Sequence, residues 1–519
     1  GPVAAPQPPP WAGPHQATSI PPLAPRRPLP LYPQPNGSHS GLSQLSAPQV
    51  LQPQEPPGSL SASSSSVSSS AELAMSAVSC AGPSPNHSSF DDVGSAEYHH
   101  QRGFQYRKRG DLQKAIREYT TTLALDPSHF KALFNRGFCY DKLGEYPKAI
   151  EDYTRALAID PNNAYTYYNL GISHDRVGQY EEAIKQFTLA VTLESTNADF
   201  FHNRGFSRRK MGNFPMAIED YTKAIEINPK HFKAYYNRAF SFDKLQEYPK
   251  AVADYTAAIQ INPSNSNAYH NRGTLYEKLG KLDKASADFT KAIELDGFNS
   301  STYNSRGLVC DHQQQYEEAI ADFTEAIRLD STNATYYHNR GFSYRNIARY
   351  ADAIADYTKA IELNPNSAAA YNNRGFAERK SGLYGLAIQD YTKSLELSPD
   401  NVRTFNNRGY SYARLGEYDK AIQDYDRVLQ LDENNVHSYH NRGISYDKKE
   451  EYDKAIADFT KVLQLEPMNA NAYFNRGSAY DAKGEFDAAI RDYTTALELD
   501  LVSSQQLGGD TLLQSMGPG

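Results

Sequence analysis

Cysteine is scarce in this 519-residue chain: Cys80, Cys139 and Cys310 are the three, far apart and without metal or dithiol spacing. That excludes a disulfide-stapled fold and fits a reducing compartment. No apolar run is long enough to span a bilayer, no charged-then-apolar leader opens the chain, and Pro6 stands where a myristoylation signal wants Ser or Thr. Positive charge is short as well. Lys and Arg number 53 against 61 Asp and Glu, a net charge of −8, so no basic footprint marks nucleic acid as the main partner. Nothing resembles a phosphate loop, a nucleophile elbow or a metal box. The expectation is a soluble cytoplasmic protein that is not an enzyme and takes no cofactor and no metal, with neither nucleic acid nor membrane as partner.

Repetition is what the chain has in abundance. Gly or Ala recurs every 34 residues at Gly103, Gly137, Gly171, Gly205, Ala239, Gly273, Gly307, Gly341, Gly375, Gly409, Gly443 and Gly477. Such a strict period means a linear array of identical small units, each burying its apolar face only against its neighbours. The units begin at 96, 130, 164, 198, 232, 266, 300, 334, 368, 402, 436 and 470, and the glycine series is position eight. Position 20 is Ala in all twelve units, position 24 is always Tyr or Phe, and position four is aromatic in ten. Apolar residues at four, eight and 11, then 20, 24 and 27, follow helical spacing, so each unit reads as two amphipathic helices. Position 15 is Gly in eight units, suited to a left-handed helix end. Position 32 is Pro in seven, and position 34 is commonly Asn, a preferred N-cap for the next helix.

Residues 1–95 are a different material. Seventeen of the 30 prolines fall by Pro57, followed by the serine-rich run Ser59–Ser70, and such a segment cannot bury enough apolar surface to order itself. Within it, Pro22-Leu-Ala-Pro25-Arg-Arg27 and Arg27-Pro-Leu-Pro30-Leu-Tyr-Pro33 fit the two orientations of a polyproline ligand for SH3 domains. The alternative is a flexible spacer. Residues 504–519 form a short tail.

Two columns vary together. Position seven is Arg in eleven units and Leu170 in one; position 23 is acidic in eleven, and its single exception, Gln186, lies in the same unit as Leu170. The covariation predicts an ion pair between the two helices of each unit, for example Arg238 with Asp254. Coincidence among duplicated units is the alternative.

The pattern resembles the tetratricopeptide repeat: an aromatic at four, Gly or Ala at eight, Tyr at 11, Ala at 20 and 27, an aromatic at 24 and Pro at 32. His174, Arg208, Cys310 and Glu378 depart from it at position 11, Gly297 and Ser331 at position 32. The resemblance implies an all-α fold, a right-handed α-solenoid superhelix of twelve helix-turn-helix repeats. The first helices would line its concave face, with positions two, five, six, nine, 12 and 13 in the groove.

Position six is Asn in ten units: Asn135, Asn169, Asn203, Asn237, Asn271, Asn339, Asn373, Asn407, Asn441 and Asn475. An amide carries donors and an acceptor together, so a ladder of them can hold an extended chain by its backbone. The arrangement resembles the asparagine ladder of the O-linked N-acetylglucosamine transferase array. The alternative is a locally bonded polar residue copied by duplication. His100, His202, His270, His338 and His440 recur at position five, one per unit, and read as polar contacts in the groove.

The function expected is a scaffold or adaptor for protein or peptide partners, with SH3-domain proteins docking on the leader and self-association through the array end. Chaperone docking is a rival, but the two-carboxylate clamp needs Lys at five, Asn at nine and Arg at six, and none of these recurs here in that role. A non-catalytic part of a larger enzyme is the other.

Overall fold

The computed structural model describes residues 94–515. The Pro22, Pro25, Arg27, Pro30 and Pro33 motifs and Cys80 lie outside them. Twenty-four helices, from α1 (Ala96–Lys108) and α2 (Leu112–Leu125) to α23 (Ala470–Lys483) and α24 (Phe486–Ser515), follow one another among the described residues. They pair as the period predicts, a first helix of 13 or 14 residues with a second helix of 14, up to α24. The chain forms two compact units, one within residues 44–365 and one taking in 366–519. Inside each unit every helix packs on its sequence neighbour.

The caps show why the boundaries fall where they do. The position-34 side chains of Asn163, Asn265, Asn401, Asn435 and Asn469 each accept a hydrogen bond from the backbone N–H three residues on. His129 and His231 do the same with Nδ1, from Ala132 and Ala234. A first-turn donor that would otherwise be orphaned is thereby satisfied.

The small residue at eight answers a close approach. A Cβ built on Gly307 would lie 2.7 Å from the Phe323 ring, and one on Gly375 3.0 Å from the Tyr391 ring and 3.2 Å from the Ala387 carbonyl oxygen. The position-24 ring therefore abuts the glycine, while Ala at 20 brings its own backbone within reach. Both are sealed: Ala149, Ala217 and Ala319 at position 20, with Tyr153, Tyr221 and Phe323 at 24, are fully buried.

α24 corrects one expectation. It does not stop at the end of the last repeat but stays helical through residues 504–515, where the sequence reading placed a short tail. Leu501 stands there at the position that seven units fill with Pro, so nothing breaks the backbone pattern.

Every inter-helix turn places position 15 in the left-handed region. The eight glycines there have φ between 70° and 86°, and the four remaining units hold Gln246, Gln314, Ala348 and Glu450 at φ 60–61°. A side chain in that region costs ~1–2 kcal/mol, part of which glycine's extra unfolded-state freedom offsets. Replacing all four by Gly is expected to raise the thermal unfolding midpoint by about 0.5–1 kcal/mol of stability per site, read by circular dichroism. A lowered midpoint would contradict the assignment of strain.

Candidate polypeptide-binding face

The frame of each repeat is the predicted ion pair. Arg238 Nε and Nη2 donate to the two Asp254 oxygens at 2.7 and 2.8 Å. The same two-pronged contact joins Arg136 to Asp152, Arg272 to Asp288, Arg306 to Asp322 and Arg476 to Asp492, all at 2.7–2.9 Å. In the first repeat Arg102 and Glu118 meet more loosely, at 3.2 Å. Sequence reasoning missed the third contact. Arg238 Nη1 donates to Thr222 of the preceding repeat at 2.9 Å, and Arg272 and Arg340 repeat the bond with Thr256 and Thr324, each at 3.0 Å. The signal was legible, because Thr recurs at position 25, and Asp426, which replaces it in one unit, takes the Arg442 guanidinium at 2.6 Å.

With the second helices locked this way, the first helices carry the predicted asparagines. Nine of the ten are buried and Asn203 is half-buried. Their amide nitrogens reach back to position five of the preceding repeat: Asn237 to His202 Nε2 at 3.0 Å, Asn475 to His440 Nε2 at 3.0 Å, Asn271 to the Tyr236 hydroxyl at 2.8 Å, Asn339 to Asn304 Oδ1 at 2.9 Å, and Asn203 to the Tyr168 hydroxyl at 2.7 Å. Asn169 turns to its own helix and donates to the Tyr165 carbonyl at 2.8 Å. The ladder is thus built first of all between repeats. The carbonyl oxygens of Asn135, Asn237, Asn339 and Asn475 have no hydrogen-bond partner and are covered by neighbouring atoms.

The position-five histidines are interior groups, which corrects their reading as groove contacts. His202, His270, His338 and His440 are buried, and His270 Nδ1 lies 3.0 Å from the Thr302 hydroxyl of the next repeat. Burial pushes the His270 and His338 imidazoles down to about 4. Glu97, His100 and His129 bring three ligand-type atoms within 4.8 Å of one another. The chemistry does not suit a metal. His129 Nδ1 accepts the Ala132 N–H at 3.1 Å, which leaves the hydrogen on Nε2, and Nε2 faces Glu97 at 3.6 Å. Ligation through Nε2 would have to break the helix cap.

Position 12 is charged in eleven units, with Arg in some and Asp or Glu in others, and its charges link successive repeats. Asp141 and Asp311 accept from Ser173 and Ser343 at 2.8 and 2.7 Å, while Asp243 takes Lys278 at 2.7 Å, a partner in the next repeat rather than the adjacent Lys244. Where position 12 is Arg, rings at position nine flank it: Arg209 lies 4.9 Å from Phe206 and 4.8 Å from Phe240, Arg379 5.0 Å from Phe376 and 4.9 Å from Tyr410. The thiols of Cys139 and Cys310 are buried, and burial raises them to about 12 and about 11, which leaves them unreactive.

Three acids on these faces have no cation to neutralise them fully. Burial raises Glu277 to about 7 against a weaker pull from Lys278, and raises Asp311 to about 7 against the Ser343 hydrogen bond. Burial and the nearby Asp390 charge raise Glu378 to about 7. Between the ordinary carboxylate range and pH 7 the folded chain holds protons that the unfolded chain has released, so these groups cost stability as pH rises through that window. Buried histidines act in the opposite sense, since their contribution is present above pH 6.5 and lost on acidification. A Glu277→Gln/Asp311→Asn/Glu378→Gln variant is therefore expected to gain on the parent from pH 5 to about pH 7 and to level off by pH 8 in parallel thermal melts. A difference that does not change with pH would contradict it.

Family models for the tetratricopeptide repeat match residues 96–129, 130–163, 198–231, 266–299, 334–367, 368–401, 402–435, 437–469 and 470–500, with offset matches at 152–185 and 220–253. No curated protein matches the chain. Among solved structures it is similar to MamA, 27% identical over 32% of this chain and 96% of that one, with a TM-score of 0.31. It is also similar to YrrB, described as "a TPR protein with an unusual peptide-binding site": 25% identical over 36% of this chain and 96% of that one, TM-score 0.34. Yeast Tom70 aligns over 81% of this chain and 95% of its own at 18% identity and a TM-score of 0.32. No helix among the described residues is long and apolar enough to cross a membrane. With family models matching most of residues 96–500, the chain belongs to the tetratricopeptide repeat family.

Proposed function

We propose that the array is a scaffold without catalytic activity that binds extended polypeptide along the face of its first helices. The observation that carries this reading is the set of unpartnered asparagine oxygens at Asn135, Asn237, Asn339 and Asn475. A buried acceptor without a donor costs ~1–3 kcal/mol, and a guest's backbone N–H would supply the missing bond once the covering side chains shift. Because the amide nitrogens are already engaged, these asparagines meet only one half of a guest's peptide bond. Resemblance to other long tetratricopeptide arrays extends the proposal to cytoplasmic and cilium-associated assembly. Chaperone docking is disfavoured by the absent clamp residues.

The test is affinity capture and peptide-array binding with the full chain and with six alternating position-six asparagines changed to Ala. Loss of about tenfold or more in affinity, at a temperature where circular dichroism shows the helices intact, is expected. Unchanged binding would remove the ladder from the site. Docking of SH3 domains on the leader is a separate part of the proposal, carried by Pro22, Pro25, Arg27, Pro30 and Pro33. A peptide spanning residues 20–35 should bind a panel of SH3 domains and lose that binding on Arg27→Ala. The exposed Phe486, Ile490 and Leu497 of α24 support self-association through that helix, which sedimentation of an Ile490→Ser variant would abolish.

A further inference from the structure

We propose that the first-helix face of repeats one to six is a docking track for an acidic polypeptide. This rests on the binding reading above and names the chemistry of the guest. Position 13 supplies one cation per repeat in an unbroken series, Lys108, Lys142, Arg176, Lys210, Lys244 and Lys278, which ends at His312 and Asn346. The five lysines are exposed. Lys108, Lys142, Lys210 and Lys244 lie over the position-nine rings of Phe104, Phe138, Phe206 and Phe240 at 4.8, 5.3, 5.8 and 5.2 Å. An ammonium over a ring face keeps its full charge available to a passing anion.

A second layer of positive charge lies behind this row. Arg209 is only 5% exposed, its guanidinium is flanked by two rings, and its Nε has no hydrogen-bond acceptor. Arg107 occupies the equivalent place, 5.1 Å from Phe104 and 5.2 Å from Phe138. The position-12 aspartates of these helices are turned to other work: Asp141 accepts from Ser173 at 2.8 Å, Asp175 takes Ser207, and Asp243 takes Lys278 at 2.7 Å. Partial desolvation of the otherwise exposed side chain, with a further push from Arg176, holds the Lys142 ammonium below the usual lysine range despite the adjacent Asp141. The face is therefore positive in a chain whose net charge is −8. Opposite charge on the guest would raise its encounter rate and set its register.

Polypeptide fits better than nucleic acid, the other polyanion. Single-stranded nucleic acid binds such surfaces by stacking bases on aromatic rings. Here cations already cover the position-nine rings, so the stacking surface that bases need is occupied.

The experiment is fluorescence anisotropy with the full chain and three labelled probes of about 20 units: a Glu-rich peptide, an uncharged Gly/Ser/Gln peptide, and oligothymidylate. The Glu-rich peptide should bind most tightly and weaken steeply with salt. A Lys108→Gln/Lys142→Gln/Lys244→Gln variant should lose about tenfold in affinity for it, and a second-helix control, Lys148→Gln/Lys223→Gln/Lys291→Gln, about twofold or less. Circular dichroism melts confirm that both variants keep the fold. Equal losses in both variants, tighter binding of oligothymidylate, or equal binding of the charged and uncharged peptides would each overturn the proposal. Equal peptide binding would leave the general scaffold reading intact, whereas failure of both peptides to bind would sink the two together.

Discussion

An arginine gripping an aspartate across two helices, with its remaining nitrogen on the repeat before, is the contact on which the rest of this molecule is built. The aspartates are nearly sealed: Asp152 is 2% exposed and Asp254 6%. A charge so placed is tolerable only when paired and hydrogen-bonded in full. Arg238, Arg272 and Arg340 meet that demand and fix three things at once: the angle within their own repeat, the register of its second helix, and the distance to the preceding repeat through the hydroxyl of Thr222, Thr256 or Thr324. In a quasi-one-dimensional array, nearest-neighbour contacts of this kind are most of what converts separate helix pairs into one cooperative body.

The exceptional unit shows what the pair replaces. Leu170 is buried against Phe134 and Tyr153 of the preceding repeat, so an apolar side chain does by packing what arginine does by bonding. Thr154, which would have received the arginine, donates only to the Ile150 carbonyl at 2.7 Å. Buried ion pairs can often be exchanged for well-packed apolar groups, but not half at a time. That asymmetry explains why Leu170 and Gln186 changed together.

How much of this was legible beforehand depended on whether a residue's partner lay inside its own repeat. Helix limits, caps and the Arg238–Asp254 pairing follow from period and covariation alone, because both partners recur in one 34-residue frame. The asparagine ladder was half legible. Its periodicity was plain, yet the partner of Asn237 is His202, 35 residues back, and no single unit reveals a bond across the joint. For the same reason the position-five histidines looked like groove contacts and proved to be buried. The αL turns at Gln246, Gln314, Ala348 and Glu450 could have been read from their eight glycine counterparts. The helical run of α24 beyond the last repeat had only the missing proline to announce it.

The arginine–aspartate lock is tested most directly by a double-mutant cycle at Arg272 and Asp288, copying the natural exception with Arg272→Leu and Asp288→Gln. Hydrogen exchange of the second helices of the fifth and sixth repeats reads local stability on both sides of the joint. Each single change is predicted to cost about 3–5 kcal/mol by stranding a buried charge, and the double far less than their sum. Single effects that simply add, or protection of the fifth repeat untouched by Arg272→Leu, would contradict the account.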